Sequence, residues 1–184
     1  MTQIGTTLDD AIGEAFDKCG KKMGLDYPAG PEIDKLARNG NPDAFKFPIP
    51  KVKHFDVSYS GVKTSFLNLI SKNINKNPNF IKDNLNDLCA SIQKTLVEII
   101  MNKIEKAKNS LKINRVVIGG GVAANSEIRR VLNDMSVSSD WEIFIPPFQY
   151  TTDNAAMIGI AAYYKLKKNQ LGKINQSVNA RLVI

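Results

Sequence analysis

Histidine is almost missing from this chain of 184 residues: His54 is the only one. An HExxH or HxxxH metal pair is therefore excluded, and no Ser–His–Asp set has a credible histidine position. There is no GxSxG elbow either, and His54 reads as a surface or loop residue beside a strand start. Cysteine is nearly as scarce. Cys19 and Cys89 form no CxxC pair, which excludes a disulfide framework and a cysteine zinc site. Each falls on an apolar helical stripe, as expected of reduced core residues in a cytoplasmic protein. No apolar run approaches the roughly 18 residues of a membrane span. The first residues, MTQIGTTLDD, lack the basic start and apolar core of a secretory signal. Internal repeats and low-complexity tracts are also absent.

What is present is an ordinary globular composition. Hydrophobic residues make up 43% and charged residues 23%, enough for one domain with a sizeable core. The formal charge of +7 is compatible with a polyanionic partner. The lysines are scattered, however, so their pattern favours solvated helix faces over a nucleic-acid patch.

The pattern predicts a helix from about Leu8 to Met23, opened by a capping-box-like Thr7 and Asp10 and stopped by Gly24. Its core stripe is Leu8, Ile12, Ala15, Phe16, Cys19 and Met23, while Asp10, Glu14 and Asp17 share a solvated acidic face. YPAGP, Tyr27 to Pro31, reads as a rigid turn with Gly30 at positive φ, and a short helix follows over Glu32 to Arg38. FPIPKV, Phe47 to Val52, can only be an edge strand or extended segment. In FDVSYS, Phe55, Val57 and Tyr59 alternate with polar residues, which predicts a half-buried strand broken by Gly61, with a helix from near Thr64. Ser71 to Asn79 reads as a loop, and Asp83 to Ala107 as a long amphipathic helix.

Two strand-to-helix units follow, and they hold most of the chemistry. Ile113 to Ile118 is apolar enough for a strand buried on both faces. Gly119, Gly120 and Gly121 then bring bare backbone to a helix that Asn125 is placed to cap. Such a loop is either a tight turn or a cradle of N–H groups for an anion, and it is neither GxGxxG nor a Walker loop. Glu142 to Ile145 is a second strand. Asp153 is placed to cap a closely packing helix rich in Ala and Gly, and the tail NQSVNARLVI reads as an edge strand. A lone carboxylate such as Asp153 is not a metal site, because metals need several converging ligands. The order of elements argues a mixed α/β lobe.

In order and spacing, DDAIGEAFDK, GLDYPAGP, FDVSYSGVKTS, VIGGGVAAN and TTDNAAM resemble successive blocks of the TsaD-type tRNA threonylcarbamoyltransferase family. The resemblance implies one lobe of an actin/Hsp70-like (ASKHA, ribonuclease H-like) fold, a mixed sheet flanked by helices. It implies transfer of threonylcarbamoyl from threonylcarbamoyl-AMP to the amino group of the adenosine 3′ of a tRNA anticodon. It also implies that Asp17, Gly30 and Asn125 contact the nucleotide-linked substrate beside the glycine loop, and that Asp153 ligates a divalent metal, iron or zinc. The implied partners are tRNA and other proteins of the tRNA-modification complex, with no membrane.

The resemblance covers the carboxy-terminal half of that family. Residues 1–184 are expected to form a single lobe, with 1–50 a helical lead-in that includes the YPAGP turn and 51–184 an α/β core. The family's amino-terminal metal-binding lobe, with its HxxxH pair and SGGHT-type loop, has no counterpart in the sequence. The expectation is therefore a chain that binds little metal and turns over little substrate alone. The alternatives are a non-catalytic nucleotide- or partner-binding lobe, or another carbamoyltransferase or kinase of the same superfamily.

Overall fold

The computed structural model describes residues 2–138, 140–173, 175 and 177. Helices dominate, and a small parallel sheet lies towards the carboxy-terminal end.

Helix α1 spans Ile12–Met23 and buries Ala15, Phe16, Cys19 and Met23 of the predicted stripe, with Ile12 partly buried, whereas Leu8 precedes the helix and is exposed. Gly24 ends it, with its N–H on the carbonyls of Gly20 and Lys21. The start is later than the capping-box pattern predicts, and Ala11 caps it without a side-chain bond. The preceding residues are engaged elsewhere. Thr7 pairs with Val57 in an isolated parallel bridge. The Asp9 carboxylate accepts from the N–H groups of Tyr59 (2.8 Å) and Ser60 (3.4 Å) and from the Ser58 hydroxyl. Burial opposes the Asp9 charge, but these hydrogen bonds outweigh it and hold the carboxyl below its ordinary range. Asp10 accepts from Lys18 (2.6 Å) and Lys63 (2.7 Å), and those hydrogen bonds depress its pKa as well.

Helix α2 is Gly30–Ala37, with Pro31 in its first turn. Helix α3 runs Ser60–Ile74, and α4 runs Phe80–Leu111 with a break in helical backbone at Asn84. Two predictions change here. The FDVSYS strand shrinks to the single Thr7–Val57 bridge, because Asp9 supplies a ready N-terminal partner for α3, which absorbs Gly61. The predicted loop from Ser71 is helical as far as Ile74, with the side-chain amide of Asn73 bonded to the Leu69 carbonyl.

These four helices enclose one apolar cluster that includes Phe16, Ile33, Phe47, Phe66, Leu88 and Ile92. Phe66 is fully buried, its ring 5.5 Å from that of Phe47. Cys19 and Cys89 lie in the same cluster, and burial pushes both thiols up to about 12. Gly20 permits the closest approach: a Cβ there would sit 2.2 Å from the Cβ of Ala29. The residue before α2 is thereby held directly against α1.

Strand β1, Arg115–Val117, pairs in parallel with β2, Glu142–Phe144, in the register Val116 to Ile143. Between them come a short 3-10 turn, Gly121–Ala124, and α5, Ser126–Ser138. A second, smaller cluster joins α4 to α5 through Val97, Met101, Ile128 and Leu132. The first strand is not buried on both faces as its apolar run predicts. Only Val116 turns inward, and Val117 is 75% exposed. A second 3-10 turn, Phe148–Tyr150, leads to α6, Ala155–Lys167. Close packing is predicted for α6, yet none of its residues is buried, because no described element lies over it. The predicted strand in the tail falls almost wholly outside the described residues.

Candidate functional site

Apolar walls surround a cavity of about 570 Å³ between α1, the start of α2, the first 3-10 turn and the loop after β2. Phe16, Ile12, Pro28, Val122 and Phe148 supply those walls, and Asp17, Asp34, Asn125 and Thr152 supply the polar edges. Three residues singled out in the sequence, Asp17, Gly30 and Asn125, come from distant segments and meet here.

Each is placed by a local reason. Asp17 leaves the acidic face of α1 and accepts the Ala29 N–H at 2.8 Å with Oδ1. One carboxylate oxygen thus anchors the turn before α2, and the other has no partner among the described residues. Gly30 does not take the positive φ predicted for it, since it already stands in the first turn of α2. A Cβ there would meet only Phe16, at 4.0 Å, so the surrounding packing does not require glycine, and its bare Cα borders the cavity.

Asn125 performs the predicted cap. Its Oδ1 accepts from the N–H groups of Glu127 (3.1 Å) and Ile128 (3.0 Å), and its Nδ2 donates to Gln93 Oε1 at 2.8 Å. Next to it, Asp34 accepts from the Ser126 N–H and, at 2.7 Å, from the Ser126 hydroxyl. This bond ties α2 to the head of α5 across 92 residues of chain. The sequence reading missed Asp34 and Gln93. Asp34 lies one helical turn after Gly30 on α2, and that spacing was the available signal.

In the glycine loop, Gly120 takes φ of 84°, a backbone that favours glycine. An added Cβ would meet nothing at Gly119, Gly120 or Gly121, and their N–H groups have no acceptor among the described residues. Of the three, only Gly121 lines the cavity. Arg129 fastens this loop to the next one. It donates to the Ala123 carbonyl and to the Pro146 carbonyl, both at 2.7 Å, and its guanidinium lies 4.3 Å from the ring centre of Phe148.

Asp153 stands apart. It is exposed and lies outside the cavity lining, where Thr152 is present instead. It does not cap α6. Asn154 does, accepting the Met157 N–H at 3.0 Å, because Asn154 holds the extended backbone of the cap position. Among the described residues no group of three or more His, Cys, Asp or Glu side chains could hold a metal ion. One solvated carboxylate cannot by itself hold the implied iron or zinc. No helix of the described residues is long and apolar enough to cross a membrane.

Residues 1–160 match the family model for TsaD, tRNA N6-adenosine threonylcarbamoyltransferase. The chain belongs to the TsaD family. A TsaD relative from Riemerella anatipestifer is 50% identical over 181 residues, covering 98% of this chain and 53% of the relative. One from Phocaeicola vulgatus is 48% identical over all 184 residues and 54% of its own length. One from Thermosipho africanus is 46% identical over 169 residues, 90% of this chain and 49% of the relative. The chain spans about half the length of the curated TsaD relatives it matches.

Proposed function

We propose that this cavity is the nucleotide-binding wall of a tRNA-modifying threonylcarbamoyltransferase, completed by an amino-terminal lobe that corresponds to the other half of the relatives. The observation that carries the reading is the convergence of Asp17, Gly30 and Asn125 on one apolar cavity beside an open glycine loop. The chemistry of the lining suits threonylcarbamoyl-AMP. Apolar walls accept a base, and the free oxygen of Asp17 can accept hydrogen bonds from ribose hydroxyls. The glycine N–H groups can donate to the phosphate and stabilise charge as AMP leaves. The amino group of the tRNA adenosine attacks the carbamoyl carbon, the bond to the phosphate oxygen breaks, and the amino proton is lost to a base.

The metal of the complete enzyme would supply further charge stabilisation. In this reading Asp153 contributes one ligand and the amino-terminal lobe the others. Two features support a two-lobed arrangement. The relatives are about twice as long, and α6 presents apolar side chains that no described element covers.

The test is threonylcarbamoylation of tRNA by this chain alone and mixed with the amino-terminal half of the Riemerella anatipestifer relative. Threonine, bicarbonate, ATP and the activating enzyme are supplied. Turnover is expected only in the mixture. Turnover by the chain alone would refute the two-lobe requirement. None in a demonstrably associated mixture would favour the non-catalytic binding lobe.

A further inference from the structure

We infer that Gln93 is a positioning residue, holding the Asn125 amide so that it caps α5 and still presents one N–H to a ligand in the cavity. The inference rests on the nucleotide reading above. An asparagine side chain has two ends of nearly equal shape and opposite hydrogen-bonding sense, so something must select its orientation. The first N–H groups of α5 select the oxygen, which accepts from Glu127 and Ile128. That leaves the nitrogen with two hydrogens to place. Gln93 Oε1 takes one at 2.8 Å. The second has no acceptor among the described residues and belongs to a side chain that lines the cavity.

Gln93 is suited to this by its position. It is only 5% exposed and lies within α4, so its backbone cannot drift. A buried amide oxygen is costly unless it is paired, which makes the Asn125 contact mutual. The pairing also spans elements. It fixes a residue at the strand-to-helix junction against the longest helix of the fold, 32 residues earlier in the chain. Without the Gln93 oxygen the cap would survive, but the amide nitrogen would lose the bond that fixes its direction. The cavity would keep its shape and lose an oriented donor.

The test compares Gln93→Met, which keeps an unbranched chain but removes the acceptor, with Gln93→Glu, which retains an acceptor oxygen. Two readouts are taken on the full chain: the side-chain amide resonances of Asn125, and affinity for AMP. Gln93→Met is expected to move the Asn125 amide pair and weaken AMP binding about tenfold, a loss of one hydrogen bond's order. Gln93→Glu is expected to retain both within about twofold, which a merely structural role would not require, since it buries a charge. In an Asn125→Ala background, Gln93→Met should change AMP affinity no further. If Gln93→Met fails to fold, Gln93→Ala replaces it with the same expectations. Wild-type AMP affinity in folded Gln93→Met, with binding lost in Asn125→Ala, would overturn the inference alone. If the unsubstituted chain takes no AMP, the nucleotide reading falls and the inference falls with it.

Discussion

The helices of the first 111 residues and the strand-bearing segment after them are built to different standards of closure. In the first region Phe16, Ile33, Phe66 and Leu88 all lie within 2% of full burial, in one cluster drawn from four helices. In the second the cluster is small, one strand shows Val117 to solvent, and α6 buries nothing. A hydrophobic run therefore means different things in the two regions. In α1 to α4 it marks a face that the same chain covers. In β1 and α6 it marks a face that no described element covers. The cavity lies on the boundary, with α1 and α2 as its settled wall and the loops before α5 and α6 as the other.

That contrast can be broken most directly in the helical core. Phe66→Ala should cost about 3–5 kcal/mol in chemical denaturation, because a large buried ring leaves a cavity that four packed helices cannot close. A cost below about 1 kcal/mol would mean that the core is not closed. A smaller effect tests the join between the regions. Asp34→Ala leaves the Ser126 N–H and hydroxyl without their acceptor and should cost about 1–3 kcal/mol. Amide exchange should rise at the head of α5 while α3 stays protected. Equal loosening in both would show that the regions unfold as one.

Acid sharpens the comparison further. Asp9 and Asp10 both have depressed pKa values in the folded chain. Their contribution is present above the unfolded carboxylate value of about 3.9 and is lost as pH falls through the lower folded values. Asp10→Asn should therefore be less stable than the parent at pH 6 and indistinguishable from it near pH 2. A difference independent of pH would show that the charge of Asp10 is not what binds α1 to Lys63. The smallest effect is expected on α6. Ile158 is 65% exposed, so Ile158→Ser should change the stability of the isolated chain by less than about 0.5 kcal/mol. Titration with an amino-terminal lobe should then show weaker association. A large loss in the isolated chain would mean that the face of α6 is covered after all.

Legibility in the sequence followed the same division. The core stripe of α1, the stop at Gly24 and the buried side of α4 were readable, because each depends on local period and local caps. The start of α1 was not. Thr7 and Asp10 have the spacing of a capping box, but Asp9 and Asp10 turn their carboxylates to Ser58, Tyr59, Ser60 and Lys63, some 50 residues away. A window of neighbouring residues contains no trace of that pairing. Asn125 was legible as a cap and Asp153 was misplaced as one, since both precede helices and only the backbone distinguishes Asp153 from Asn154. Composition could not show that Asp34 and Gln93 stand behind the site. Each is a polar residue in an amphipathic helix until its partner arrives from more than 30 residues away.

Arg129 has a mechanical consequence. Its side chain joins the turn after β1 to the loop after β2, through one carbonyl on each and the face of Phe148. Two loops that could hinge separately are thereby yoked. One side chain thus serves as a common tie-rod for the glycine turn and the approach to Asp153, so its loss would release both at once.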